Sequence, residues 1–314
     1  MSEAASAPAP EPRAFRPADA PAWVALTNAA LGQQATPDGL LDADARRDPA
    51  EPARRWVWED AAGLAGVAWL YRFAFDPPGF LHAGVVVAPA RRGRGVGTAL
   101  WEAVRAAAGG APLAAAVADD DPGSLAWAQG QGFARHLHRF ASTLDLTTFG
   151  EAPFTADLER AAAQGVTFTD LGGADALTLA RYLDYFADRL TETPDLAGHP
   201  RWPAAQVRAS LHLDHDPHPE WLVLATGPGG EWLGTSALVR YGLLAYNELT
   251  ALSPQARGRG LALPLKLEAI RRARAAGLLT MKTNNLSTNA PMLAVNRRLG
   301  FAARPGTFGL RRLP

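Results

Sequence analysis

The chain has 314 residues, no cysteine, and 31 basic against 31 acidic side chains, so its formal net charge is zero. Disulfides, thiolate metal centres and a cysteine nucleophile are thereby excluded, and no whole-molecule field draws the protein to nucleic acid or to an anionic membrane. No apolar run reaches the 18 residues that suggest a membrane span, and the tail from Met1 to Pro12 is Ala/Pro/Glu-rich without signal-peptide regions. A cytoplasmic protein of two ordinary domains is expected.

After that tail (1–12), Arg13–Pro17 gives a short strand signal, followed by a helix through Ala22 to Leu31 and a Pro/Asp/Gly-punctuated stretch to Pro52. Arg55–Trp58 and Leu64–Phe75 read as a strand pair around the Glu59–Gly63 turn, and Leu81–Val87 as a further strand. From Gly97 the period turns helical, with Leu100, Val104 and Ala107 on one face and Gly109–Gly110 as the stop. Leu113–Val117 is a strand, Ser124–Gly130 a short helix and Phe133–Leu146 a last alternating strand, which closes a first domain over 13–146.

Residues 147–164 read as a connector, and the second domain runs from 165 to 314. It restarts with Val166–Leu171, a helix over Leu177–Leu190, a strand pair at Trp221–Ala225 and Trp232–Tyr241, and a strand at Leu243–Leu252. The next helix puts Leu263, Leu267 and Ile270 on one face and ends in Arg271, Arg272, Arg274 and Gly277. Pro264 is tolerated only near its first turn, which places the helix start close to Gly260.

Two stretches stand out. Leu252-Ser-Pro-Gln-Ala-Arg257-Gly258-Arg259-Gly260-Leu261-Ala262 and Val87-Ala-Pro-Ala-Arg-Arg92-Gly93-Arg94-Gly95-Val96-Gly97 each carry an apolar strand through a Gly/Arg-rich turn into a helix. Glycine lets the backbone turn tightly, so successive N–H groups can face an anion at the positive end of the helix, where the arginines add charge. Arg92 and Arg257, Gly95 and Gly260, and Trp56 and Trp221 share one offset of 165 (257 − 92), so the chain is a duplication.

Both loops have the form Arg-x-x-Gly-x-Gly/Ala after a strand ending in x-Pro, which resembles the acetyl-CoA pyrophosphate loop of the GNAT N-acetyltransferases. Asn289 to Phe301, ending in Leu299-Gly300-Phe301, resembles that family's closing helix, and Trp127 to Phe133 is its looser counterpart. The resemblance covers nearly the whole chain. It implies an α/β fold of two tandem GNAT-like domains, each with a mixed sheet, and an N-acetyltransferase that moves an acetyl group from acetyl-CoA to a primary amine of a small molecule or peptide, without a metal. Cofactor contacts are implied at Leu252, Arg257 to Ala262, Asn289 and Asn296, and in the first domain at Val87 and Arg92 to Gly97.

Glu248 lies nine residues before Arg257, on the strand where the family often keeps its general base, and strand alternation would put it on one face with Thr250 and Leu252. A carboxylate in a partly dry cleft can have a raised pKa and take a proton. The matching position in the first domain is Ala83, with His82 on the other face, and the slots of Asn289 and Asn296 hold Asp121 and Ala128. The second domain is therefore expected to be catalytic, and the first degenerate. Asn296 stands where many members carry a general-acid tyrosine and cannot supply that proton. Lys282 to Asn285 could line the acceptor site or form an ordinary turn, and His212, His215 and His218 read as a polar loop.

A P-loop needs a Gly-Lys-Ser/Thr ending that neither copy has, and a dinucleotide fold places its glycines after the first strand, which disfavours a nicotinamide-dependent oxidoreductase. Three readings stay open: a general amine acetyltransferase, a synthase of the mycothiol type, and an acyl-CoA-binding sensor that has lost catalysis. A monomer or a homodimer is expected.

Overall fold

The computed structural model describes residues 11–73, 76–196 and 198–314. Contacts divide the chain into two compact units, one made of the residues up to His136 together with Phe308–Pro314, the other of Leu137–Thr307. The expected closing point at residue 146 falls just after a strand whose greater part belongs to the second unit.

The first unit contains β1 (Arg13–Ala14), α1 (Ala20–Leu31), α2 (Pro37–Ala45), β2 (Ala53–Asp60), β3 (Gly63–Tyr71), β4 (Leu81–Val87), α3 (Val96–Ala108), β5 (Leu113–Ala118) and α4 (Pro122–Gly130). Its strands lie in the order β1-β2-β3-β4-β5, antiparallel except for the parallel pair β4/β5. Alternation along β3 and β4 splits the core into two layers. Ala68, Leu70, Leu81 and Ala83 pack with Leu100, Trp101 and Val104 of α3, while Val67 and Val86 pack with Trp23 and Val24 of α1. Leu310 joins the α3 layer.

The second unit contains most of β6 (Ala134–Asp145), then α5 (Thr155–Ala163), β7 (Thr167–Thr169), α6 (Ala176–Thr191), α7 (Ala204–Ser210), β8 (Leu222–Thr226), β9 (Trp232–Tyr241), β10 (Leu244–Leu252), α8 (Ala262–Ala275), β11 (Thr280–Leu286) and α9 (Ala290–Arg298). The chain ends in β12 (Ala302–Arg312), whose last residues belong to the first unit. Strand order in the second unit is β6-β11-β10-β9-β8-β7, with β10/β11 parallel and the other described pairs antiparallel. The amphipathic α6 is started by Asp175, whose carboxylate accepts from the Thr178 N–H at 2.7 Å. It buries Tyr182, Leu183, Phe186 and Ala187 against one sheet face, and α8 buries Leu263, Leu267 and Ile270 against the other. A Cβ on Gly234 of β9 would lie 2.6 Å from Leu252 and 3.1 Å from Leu265, so glycine is what lets α8 sit this close to the sheet.

Candidate functional site

In both units the strand before the Gly/Arg loop runs into a short 3₁₀ turn, Pro89–Arg91 or Pro254–Ala256, and then into the loop. Arg92 and Arg257 follow with the same extended backbone, and each Nε donates back to the strand end, to Val87 O at 3.3 Å and to Leu252 O at 3.4 Å. Gly93, Gly95, Gly258 and Gly260 all have positive φ, between 73° and 81°, where a side chain would be strained. The duplication is thus preserved in dihedral angles and in hydrogen bonds.

The second loop opens on a cleft of about 800 Å³, within the range of small-molecule and cofactor sites. Leu252, Arg257, Gly258, Gly260, Leu261 and Ala262 line it, as does Asn289. Asn289 caps α9, its Oδ1 accepting from Met292 N at 3.4 Å, which leaves its Nδ2 group unused by the cap. Arg257 pairs with Glu192 at the end of α6, and Glu192 also holds Arg189 at 2.6 Å. Arg259 turns aside: its Nε donates to Gln164 Oε1 at 3.1 Å, and it does not line the cleft.

β10 and β11 are paired only from Leu244/Thr280 to Tyr246/Lys282. Beyond that, β10 stays with β9 as far as Leu252/Gly234, and β11 with β6 as far as Leu286/Arg139, so the two parallel strands part beside Glu248. Glu248 is the extra residue of a β-bulge between Asn247 and Leu249. Buried Asn247 clamps that bulge, its Nδ2 donating to Ala237 O at 3.0 Å and Leu249 O at 3.1 Å, and its Oδ1 accepting from Thr250 Oγ1 at 2.8 Å. The bulge corrects the expected alternation: Thr250 and Leu252 line the cleft and Glu248 does not. Burial alone pushes the Glu248 carboxyl up to about 7, and no ion pair or hydrogen bond holds it among the described residues.

Asn296 lies away from the cleft, 2% exposed, with both ends of its amide engaged. Its Oδ1 accepts from Lys266 Nζ and its Nδ2 donates to Asn285 Oδ1, both at 2.7 Å, and Asn285 in turn donates to Ser142 Oγ at 2.9 Å. Lys266 is 1% exposed, has no anionic partner among the described residues, and is pushed down to about 7 by burial. Asn285 is thereby part of a buried chain as well.

In the first unit, Val87, Arg92, Gly93, Arg94, Gly95, Val96 and Gly97 form the corresponding loop, where the Trp127 ring stands 3.7 Å from a Cβ built on Gly97. Asp121 caps α4 as Asn289 caps α9, accepting from Ser124 N at 2.9 Å. His82 pairs with Asp76 at 2.9 Å beside the Tyr71 and Phe73 rings. His212 instead contacts Tyr241, and His218 stacks on Trp221 and pairs with Glu220.

The model of the acetyltransferase (GNAT) family matches residues 21–140. The mycothiol acetyltransferase of Clavibacter michiganensis subsp. michiganensis (strain NCPPB 382) is 31% identical over 227 residues, 71% of this chain and 69% of that protein. The chain belongs to the GNAT acetyltransferase family. Two solved GNAT structures share the fold at 19% identity. A GCN5-related N-acetyltransferase from Sphaerobacter thermophilus has a TM-score of 0.72 over 96% of this chain and 94% of its own, and the tandem GNAT protein of the clavulanic acid biosynthesis pathway has 0.66 over 96% and 98%.

Within this GNAT chain, sequence reading missed five charged residues that line the cleft: Asp157 and Arg160 on α5, Arg189 on α6, Glu192 just after it, and Arg298 at the end of α9. Arg298 stands in the quoted closing-helix motif, but nothing in its spacing shows that Asp157 meets it.

Proposed function

We propose that the protein transfers an acetyl group from acetyl-CoA to a primary amine of a small molecule or peptide, mainly in the second unit. GNAT acetyltransferases use acetyl-CoA, and the residues around the second loop suit it. The N–H groups of the Arg257–Ala262 turn and Arg257 itself take the diphosphate at the start of α8. The gap between β10 and β11 takes the pantetheine arm as an added strand, and a backbone N–H at the parting of the strands stabilises the tetrahedral oxyanion. Glu248, directly or through water, accepts the proton that the amine loses when it attacks the thioester carbonyl, and the thiol departs with a pKa near 8.5 that needs little acid assistance.

The observation that carries this reading is the joining of three features on one strand and its loop: left-handed glycines facing a cleft, strands that part, and a half-buried carboxylate in a bulge at the parting point. In the first unit the same loop is followed by Trp127 and preceded by Ala83, so that unit binds the cofactor weakly or acts as a scaffold. A second reading narrows the acceptor to an amine of the mycothiol type, favoured by the 31% identical relative.

Calorimetry with acetyl-CoA, followed by thiol release with a panel of amines, tests both. One tight site and turnover that falls about 10²- to 10⁴-fold in Glu248→Gln are expected. Full turnover in Glu248→Gln together with abolition by a change at Gly95 would overturn the assignment to the second unit, and binding without turnover on any amine would leave a sensor. The mycothiol reading stands or falls with the acceptor that is turned over best.

A further inference from the structure

The cleft carries a second cationic feature that the loop does not explain. Asp157 of α5 is 3% exposed by its side chain, yet it holds two arginines that are 53% and 62% exposed. Arg298 grips it with two parallel bonds, Nη1 to Oδ1 at 2.9 Å and Nη2 to Oδ2 at 2.6 Å, and Arg160 reaches Oδ1 from the turn below. All three residues line the same cleft as Arg257 and Gly258.

One carboxylate under two guanidiniums leaves a net positive charge. A guanidinium has five N–H donors; Arg298 uses two on Asp157 and Arg160 one, so most of their donors remain available to a ligand. The buried anchor fixes the forks before any ligand arrives, which lowers the ordering cost of binding a small, multiply charged anion. A helix tie alone would need one arginine. In the first unit the helix of the same nine-residue length ends in Gly130 where α9 ends in Arg298, so the cation is not a general feature of this helix end.

We infer that Arg160 and Arg298, set on Asp157, form a phosphomonoester site that reads the 3′-phosphate on the ribose of coenzyme A. The inference rests on the acetyl-CoA reading of this cleft. Coenzyme A carries three phosphate groups, and the loop at Arg257–Ala262 accounts for the two of the diphosphate. The third is a compact dianion on the same nucleotide, and the pair of guanidiniums in the same cleft matches its charge and its several acceptor oxygens.

The test is titration of the full-length protein with coenzyme A and with 3′-dephospho-coenzyme A. The wild type is expected to bind coenzyme A about 10- to 100-fold more tightly, the range of one to two charge-assisted hydrogen-bond sets. Arg160→Gln, which leaves the Arg298–Asp157 pair in place, is expected to reduce that ratio several-fold, and Arg160→Gln/Arg298→Gln to bring it within about twofold of unity, with dephospho-coenzyme A affinity unchanged. Retained binding of dephospho-coenzyme A also certifies that each variant is folded. Equal affinity for the two nucleotides in the wild type, or a ratio that survives in the double variant, would overturn the inference while leaving the acetyl-CoA reading intact. Binding of neither nucleotide would overturn both.

Discussion

Glu248 titrates where it does because of burial and nothing else. A carboxyl moved from 4.5 to about 7 is mostly protonated at pH 6 and mostly ionised at pH 8, and only the ionised form can accept the amine proton. With an acceptor whose amine is already neutral across the range, kcat/KM is expected to climb about tenfold per pH unit and level off near pH 7. Glu248→Gln is expected to remove that limb together with most of the rate. A profile that levels off near pH 4.5 would mean that the carboxylate is solvated in the working enzyme and that the bulge does not dry it. The place of Glu248 was legible from its distance to Arg257; its projection was not. The bulge is set by Asn247, whose partners at Ala237 and Leu249 meet it only after β9 and β10 pair. Asn296 shows the same limit from the other side, since its buried partners Lys266 and Asn285 come from a different helix and a strand.

Arg257 links the loop to α6 through Glu192, and that contact sits on the wall of the cleft. A carboxylate on the cradle's arginine competes with any diphosphate for the same guanidinium. Removing it in Glu192→Gln is expected to tighten coenzyme A by about two- to fivefold at low salt, the scale of an exposed pair, with the gain shrinking as salt screens the charges. If affinity fell instead, Glu192 would be positioning Arg257 rather than competing for it. Elements governed by local rules were readable in advance. Glycines at 258 and 260 permit the left-handed backbone that a tight strand-to-helix turn uses, and the stripes of α3, α6 and α8 follow from their apolar spacing. α5 was not. It falls in the stretch taken as a connector, and its value lies in Asp157, a buried acid whose arginine partner stands 141 positions away.

The duplication was legible at the scale of the whole chain because a constant offset survives divergence, whereas the allocation of β6 and the last residues of β12 to units depends on pairing that no offset encodes. The second unit also contains two ionisable groups of opposite type whose charged forms are both opposed by burial, Glu248 and Lys266, each at about 7. Their effects on stability have opposite slopes. From pH 4.5 to 7 the folded state keeps a proton on Glu248 that the unfolded state has released, so stability falls as pH rises. From pH 7 to 10.5 the unfolded state keeps a proton on Lys266 that the folded state has released, so stability rises with pH. The lowered carboxylates of this unit, such as Asp175 and Asp216, contribute stability that is complete across this window and is lost only as pH falls below it, and the raised Tyr182 and Tyr185 act only at its alkaline end. Denaturation of the second unit is therefore expected to show a stability minimum near pH 7, flanked by firmer behaviour at pH 5 and pH 9. Glu248→Gln should flatten the acid side of that dip and Lys266→Met the alkaline side, each leaving the other untouched. A single maximum near neutrality in the wild type would show that water or a rearranged partner solvates these two groups. The Asn296 Oδ1 would then be accepting from a fully charged Lys266 ammonium rather than from an amine that is half neutral at pH 7.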